Sequence, residues 1–150
     1  MNNSAEIFAL ALGLEKPWNI KEVNFDKEKG KLDIYVDFIK GSKFKGEDGD
    51  LYTAHDTAER TWQHLNFFQY HCFLHARVPI IYQKDRKTRT VEVPWARKGS
   101  GFTMMFEAFA MLLIESEMPV TKVGKVLGVY PQRIWTIFNY WLSKSHKQDE

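Results

Sequence analysis

An α+β fold is predicted, β-rich through its first two thirds and helical thereafter, and three observations predict it. Apolar residues alternate with polar ones in several runs between positions 21 and 94, the period of a half-buried strand. From Gly99 onward the apolar spacing changes to three and four, the period of a helix face. Between the two regimes lies "ARKGSG", a glycine-rich charged stretch suited to a hinge. The expected domains are therefore 1–98, β-rich, and 99–150, helical.

Composition bounds the class. A chain of 150 residues is one domain or two small ones sharing a core. Its 44% apolar content, with 11 Phe and 5 Trp, is ample for a packed interior. No apolar run approaches the ~18 residues of a membrane span. The N-terminus "MNNSAEIFALALGLEKPW" lacks the basic region of a secretory signal. The single cysteine, Cys72, excludes an internal disulfide and any site built from several thiolates. These features predict a soluble, cytoplasmic chain.

The elements follow in order. "SAEIFALAL" is predicted as a short helix capped by Ser4, with Ile7, Leu10 and Ala11 on one face. "KEVNF" and "KLDIYVDFI" flank the turn "DKEKG" as a hairpin, in which Leu32, Ile34, Val36 and Phe38 alternate. "KGEDGD" packs two glycines and three acids into a turn. In "RTWQHLNFFQYHCFLHARVPIIYQ", Cys72, Leu74, Ala76 and Val78 alternate with Phe73, His75 and Arg77 as a strand. "RTVEVPW" adds another strand, ended by Pro94. "GSGFTMMFEAFAMLLIESEMP" reads as a helix with Ser100 as cap and Phe102, Met105, Phe106, Phe109, Leu112 and Leu113 at helical spacing. Pro119 breaks it and opens the next.

The stretch "PVTKVGKVLGVYPQRIWTIFNYWL" carries the most information. Val123 and Leu127 are four apart on a first helix, and Ile134 and Ile137 three apart on a second. Gly124 sits where the two would approach closely, and Gly128 can take the left-handed conformation that ends the first helix. Val129 closes the small core between them. This is helix-turn-helix spacing. A plain helical hairpin would show some of it, but seven matching positions favour DNA binding. The second helix begins near Tyr130 and exposes Gln132, Arg133 and Thr136, types that suit base edges in the major groove. Trp135, Phe138 and Trp141 are expected in the core.

Charge is uneven. Residues 1–60 carry 9 Lys/Arg against 12 Asp/Glu, residues 61–98 carry 7 against 2, and residues 99–150 carry 5 against 5. The basic excess comprises Arg77, Lys84, Arg86, Lys87, Arg89, Arg97 and Lys98. It suits a polyanion such as nucleic acid, or a well-solvated hairpin rim.

The histidines do not make a metal site. His71 and Cys72 are adjacent and point to opposite faces of a strand, and His71 and His75 lie about 13 Å apart along one. His55 and Asp56 have no nucleophile beside them, and no hydrolase triad, phosphate loop or dinucleotide-binding glycine motif is visible. No cofactor is expected.

With these residues in view, the chain resembles the N-terminal part of bacterial insertion-sequence transposases of the ISL-three type. The resemblance rests on "LGLEKPWNIKEVNFD", "HDTAERTWQHLNFFQYHCFLHARVP", "VEVPWARKGSGFT", "MPVTKVGKVLG" and the following "RIW", and covers residues 8–143. It implies a zinc-finger-like module of β-hairpins followed by a three-helix helix-turn-helix unit, together recognising the terminal inverted repeats of the element. The implied partner is double-stranded DNA, with Gln132 and Arg133 reading bases beside Tyr130 and Thr136. Lys122, Lys125, Arg97 and Lys98 would meet phosphates, joined by the basic Arg86, Lys87 and Arg89. In the family an Asp/Asp/Glu catalytic domain follows, and a chain ending at Glu150 is not expected to be an enzyme.

The resemblance also implies a zinc site, and here the sequence departs from it. The family's two ligand pairs fall on Gly46 and Gly49 and on Gln83 and Arg86, none of them a good zinc ligand, so no metal is expected. A structural zinc contributes ~10 kcal/mol or more to a small finger. Without it the hairpins need other support, for which Trp62, Phe67, Phe68 and Tyr70 are the candidates. Two alternative functions remain in view: a transposase-derived repressor, and a protein-interaction module that forms a homodimer through the apolar helix 102–117.

Overall fold

The computed structural model describes residues 3–149 and divides the chain into two compact units, Met1–Thr103 and Met104–Glu150. The division falls between Thr103 and Met104 because residues 99–103 are tied back to the sheet. Gln63 N–H donates to Gly101 O at 2.8 Å, and Thr103 N–H donates to Gln63 O at 3.0 Å. The α+β class stands, with four helices and a mixed sheet among the described residues.

In the first unit, α1 (Asn3–Leu12) precedes the expected hairpin of β1 (Trp18–Asp26) and β2 (Lys31–Phe38). The expected face of α1 is corrected. Ile7 and Leu10 are 65% and 82% exposed, while Phe8 and Leu12, one turn apart, pack against the core. Short strands β3 (Lys43–Lys45) and β4 (Leu51–Thr53) flank "KGEDGD" as a separate ribbon.

A second long hairpin follows, β5 (Asp56–Phe67) and β6 (Tyr70–Tyr82), where only the later strand was expected. Its turn at Phe68 and Gln69 contains no glycine or proline, and Phe68 takes a positive φ of 55°. The usual turn signals are therefore missing from the sequence. The strand expected over "RTVEVPW" is reduced to β7 (Thr88–Thr90) on the edge of β6.

The sheet order is β1-β2-β6-β5, and β2 and β6 run parallel. That pairing sets Leu32 beside Cys72, Ile34 beside Leu74 and Val36 beside Ala76, so all the alternating apolar residues land on one face. The face is covered by aromatics. Trp95 lies edge-on to Trp18 at 5.0 Å and to Trp62 at 5.3 Å, and Phe44 joins them. Each fully buried side chain of this size stabilises the unit by roughly 1.5–3 kcal/mol. Of the four aromatics expected to support the hairpins, Trp62 is buried, while Phe67 lies edge-on to Phe8 at 5.9 Å and Tyr70 edge-on to Phe25 at 4.8 Å. Phe68 is corrected, being 92% exposed at the hairpin tip.

The second unit holds α2 (Met104–Glu115), α3 (Val120–Leu127) and α4 (Pro131–Asp149). Of the expected face of α2, Phe106 is buried, beside Glu107 and Ala110, while Met105, Phe109 and Leu112 are corrected, since they stay exposed. Glu107 is fully buried and accepts a hydrogen bond from Trp141 Nε1 at 2.9 Å, which ties α2 to α4. A buried carboxyl group needs hydrogen-bond partners, and the half-buried Trp141 supplies one.

Candidate nucleic-acid interface

The second unit positions its exposed residues through a compact joint. α3 ends at Gly128, whose φ of 75° lies in the left-handed region. Its N–H and that of Val129 both donate to Gly124 O, the latter at 2.9 Å. Gly124 is buried, and a Cβ there would stand 2.7 Å from Val129 O. The close approach read from the spacing is therefore made to the turn entering α4. Val123 and Leu127 of α3 and Ile134 and Ile137 of α4 are buried together as expected.

α4 turns its inner face inward through Ile134, Ile137 and the half-buried Trp141. At about 100° per residue, the positions farthest from that face are 132, 136, 139 and 143. They are Gln132, Thr136, Asn139 and Ser143, all exposed. This stripe is polar and uncharged along about three turns. Trp135 borders it on one side and Arg133 and Tyr140 on the other. The expectation of a core Trp135 is corrected: it is 48% exposed, edge-on to Phe138 at 5.8 Å. The Thr136 hydroxyl donates to Gln132 O at 3.0 Å.

Electrostatics favour an anionic partner. Between Pro119 and Gln148 the sequence contains five lysines or arginines and no acid. Lys122 and Lys125 are exposed on α3, Arg133 on the first turn of α4, and Tyr130 just before it. This acid-free stretch could have been read from the sequence; the regional balance of charge concealed it, because the acids of 99–150 all lie outside it.

The other predicted contacts belong to the first unit. Arg86 and Lys87 are exposed in the turn after β6. Arg89 is half-buried and lies 3.9 Å from Glu47 and 3.7 Å from Glu92, so its charge is largely answered within the unit. Arg97 and Lys98 line a cavity of about 460 Å³ together with Arg60, Trp62, Thr90 and Val93.

The zinc positions can be tested against donor chemistry, and they do not fit. Gly46 and Gly49 offer no side chain and Arg86 offers a cation. Gln83 occupies the space beside Gly46: its Oε1 would lie 2.9 Å from a Cβ there, and it accepts the Glu47 N–H at 2.8 Å. Among the described residues no group of three or more His, Cys, Asp or Glu could hold an ion.

The turns themselves are alike in backbone pattern. Gly46 N–H donates to Asp50 O and Gly49 N–H to Gly46 O, just as Gln83 N–H donates to Lys87 O and Arg86 N–H to Gln83 O. Asp48 and Asp85 each accept the N–H two residues on, at 2.9 Å. Gly49 and Arg86 both have positive φ. The turns are joined across by Gln83, by the Lys84–Asp50 ion pair, and by Tyr52, whose hydroxyl donates to Asp48 and accepts from Lys84 N–H. The Tyr52 bond holds the Asp48 carboxyl below its ordinary range.

One cluster escaped sequence reasoning. On the polar face of the sheet, His75 Nε2 lies 2.6 Å from Asp33 Oδ1 and its Nδ1 lies 2.8 Å from Thr61 Oγ1. Tyr35 stacks on the ring at 4.7 Å. The three partners come from β2 and β5 on either side of β6, so their meeting depends on a strand order that spacing does not encode. The chain of bonds ties three strands together across their outer face.

Residues 91–142 match the family model described as the helix-turn-helix domain of transposase family ISL3, so this region is a transposase helix-turn-helix of that type. No curated protein and no solved structure matches the chain. No helix among the described residues is long and apolar enough to cross a membrane.

Proposed function

We propose that residues 1–150 bind double-stranded DNA sequence-specifically at the terminal inverted repeats of a transposable element, without contributing strand-cutting chemistry. One observation carries the reading: an exposed, acid-free face of α4 within a matched transposase helix-turn-helix. Lys122, Lys125 and Arg133 supply cations around that face, and Gln132 and Thr136 supply groups that discriminate base edges. The first unit is read as a zinc-ribbon-like module that keeps two turns of like pattern without an ion, its Arg86, Lys87, Arg97 and Lys98 adding phosphate contacts.

Fluorescence anisotropy tests this with labelled duplexes carrying the terminal repeats of the encoding element and with scrambled duplexes. The repeat should bind on the order of a thousandfold more tightly. Log affinity should fall linearly with log salt, with a slope near −0.9 for each phosphate contacted. Equal affinity for both duplexes would overturn the reading.

A homodimer is the second reading, favoured by the exposed Met105, Phe109 and Leu112 at helical spacing on α2. Sedimentation velocity at micromolar concentration tests it, and a monomer throughout would remove it.

A further inference from the structure

We infer that Asn139 is a second base-reading residue, and that α4 reads two A·T pairs about three base pairs apart through Gln132 and Asn139. The inference rests on the DNA-binding reading above and goes beyond it in residue, base and spacing.

Gln132 and Asn139 share the outermost stripe of α4, seven residues apart and both exposed. Seven residues span about 10 Å along a helix axis, and base pairs rise about 3.4 Å each. A helix lying along the major groove therefore brings the two amides to pairs about three steps apart. Both side chains carry the donor and acceptor pair that matches adenine N6 and N7. Between them lies the exposed Thr136, whose hydroxyl is bonded to Gln132 O and whose methyl is the group left to meet a thymine methyl. Ser143 continues the stripe a turn further with another small polar group.

Nothing cationic lies on the stripe. Arg133 is rotated about 100° from Gln132 and sits at its border. A side chain at that border reaches the phosphates flanking the groove, so Arg133 is assigned there and not to guanine, in contrast to the role the sequence alone suggests. The buried Ile134 and Ile137 and the half-buried Trp141 anchor the opposite face of α4, so the stripe is presented at helical spacing.

The test is selection of bound sequences from a random duplex pool with the full chain and three variants, N139A, Q132A and R133A. All three positions are exposed, and helix content by circular dichroism checks folding. The wild-type consensus should contain two A·T pairs about three steps apart. N139A should relax one of them and Q132A the other, each by roughly five- to a hundredfold in preference. R133A should weaken binding to every sequence and leave the consensus unchanged. A wild-type consensus that N139A leaves intact, or one with a guanine that R133A relaxes, overturns the inference while leaving DNA binding in place. No wild-type consensus at all removes the DNA-reading function together with it.

Discussion

Replacing Gly124 by alanine should destabilise the helical unit, although alanine is the better helix former by ~1 kcal/mol. The new methyl would begin 2.7 Å from Val129 O, and ordinary contact starts near 3.4 Å. That carbonyl cannot simply withdraw. Val129 N–H is bonded to Gly124 O at 2.9 Å, Pro131 N lies 3.5 Å from the same methyl, and Arg133 N–H donates to Tyr130 O at 3.0 Å as α4 begins. The whole entry to α4 must shift. Overpacking costs about 1–3 kcal/mol, and so short a contact with backbone belongs to the upper half of that range. After the gain of ~1 kcal/mol in propensity, a net loss of ~1–2 kcal/mol is expected. Urea unfolding followed by far-ultraviolet circular dichroism measures it. With a slope near 1 kcal/mol per molar for so small a unit, the midpoint should fall by roughly 1–2 M. Gly128→Ala is the comparator, since its cost is the ~1–2 kcal/mol of a left-handed residue and not a clash. A midpoint for Gly124→Ala at or above that of the parent would refute the close approach.

Further outcomes follow from the first unit. His64 is buried with Nδ1 2.7 Å from Thr103 Oγ1, and burial holds its pKa below the ordinary value of about 6.5. The unfolded chain therefore takes up a proton first as pH falls, so this contribution is complete above about 6.5 and is lost below it. Tryptophan-monitored urea midpoints should drop between pH 7.5 and 5.5, and His64→Gln should flatten that slope; an unchanged slope in the variant would show that another group is responsible. The Cys72 thiol, fully buried, is pushed up to about 12, first by burial and then by the Asp33 charge. Ellman's reagent at pH 8 should label it only after denaturation, and rapid labelling of native protein would contradict the buried placement. Gln83→Ala strips the acceptor from Glu47 N–H and should cost about 1–2 kcal/mol. Amide exchange at Glu47 should quicken in that variant, and an unchanged rate would mean that Gln83 does not hold the turns together.

Local pattern alone determined a good deal of this protein. The period-two run Leu32, Ile34, Val36 and the run Cys72, Leu74, Ala76, Val78 became strands with those residues buried. The joint at Gly124 and Gly128, and the small core of Val123, Leu127, Ile134 and Ile137, were readable because a helix-turn-helix is built from neighbours in sequence, where spacing and geometry are nearly the same thing. Tertiary structure decided what depends on distant partners. The parallel pairing of β2 with β6 brings Asp33, His75 and Thr61 together from three strands, and Gln83 meets Glu47 across 36 positions. It also chose which side of an apolar helix is covered. Met105 and Phe106 are equally apolar in sequence, yet only Phe106 is buried, and Trp135 is turned outward while the half-buried Trp141 donates to the buried Glu107. Periodicity gives a helix its candidate faces, but burial is a property of the surface it meets, and that surface comes from elsewhere in the chain.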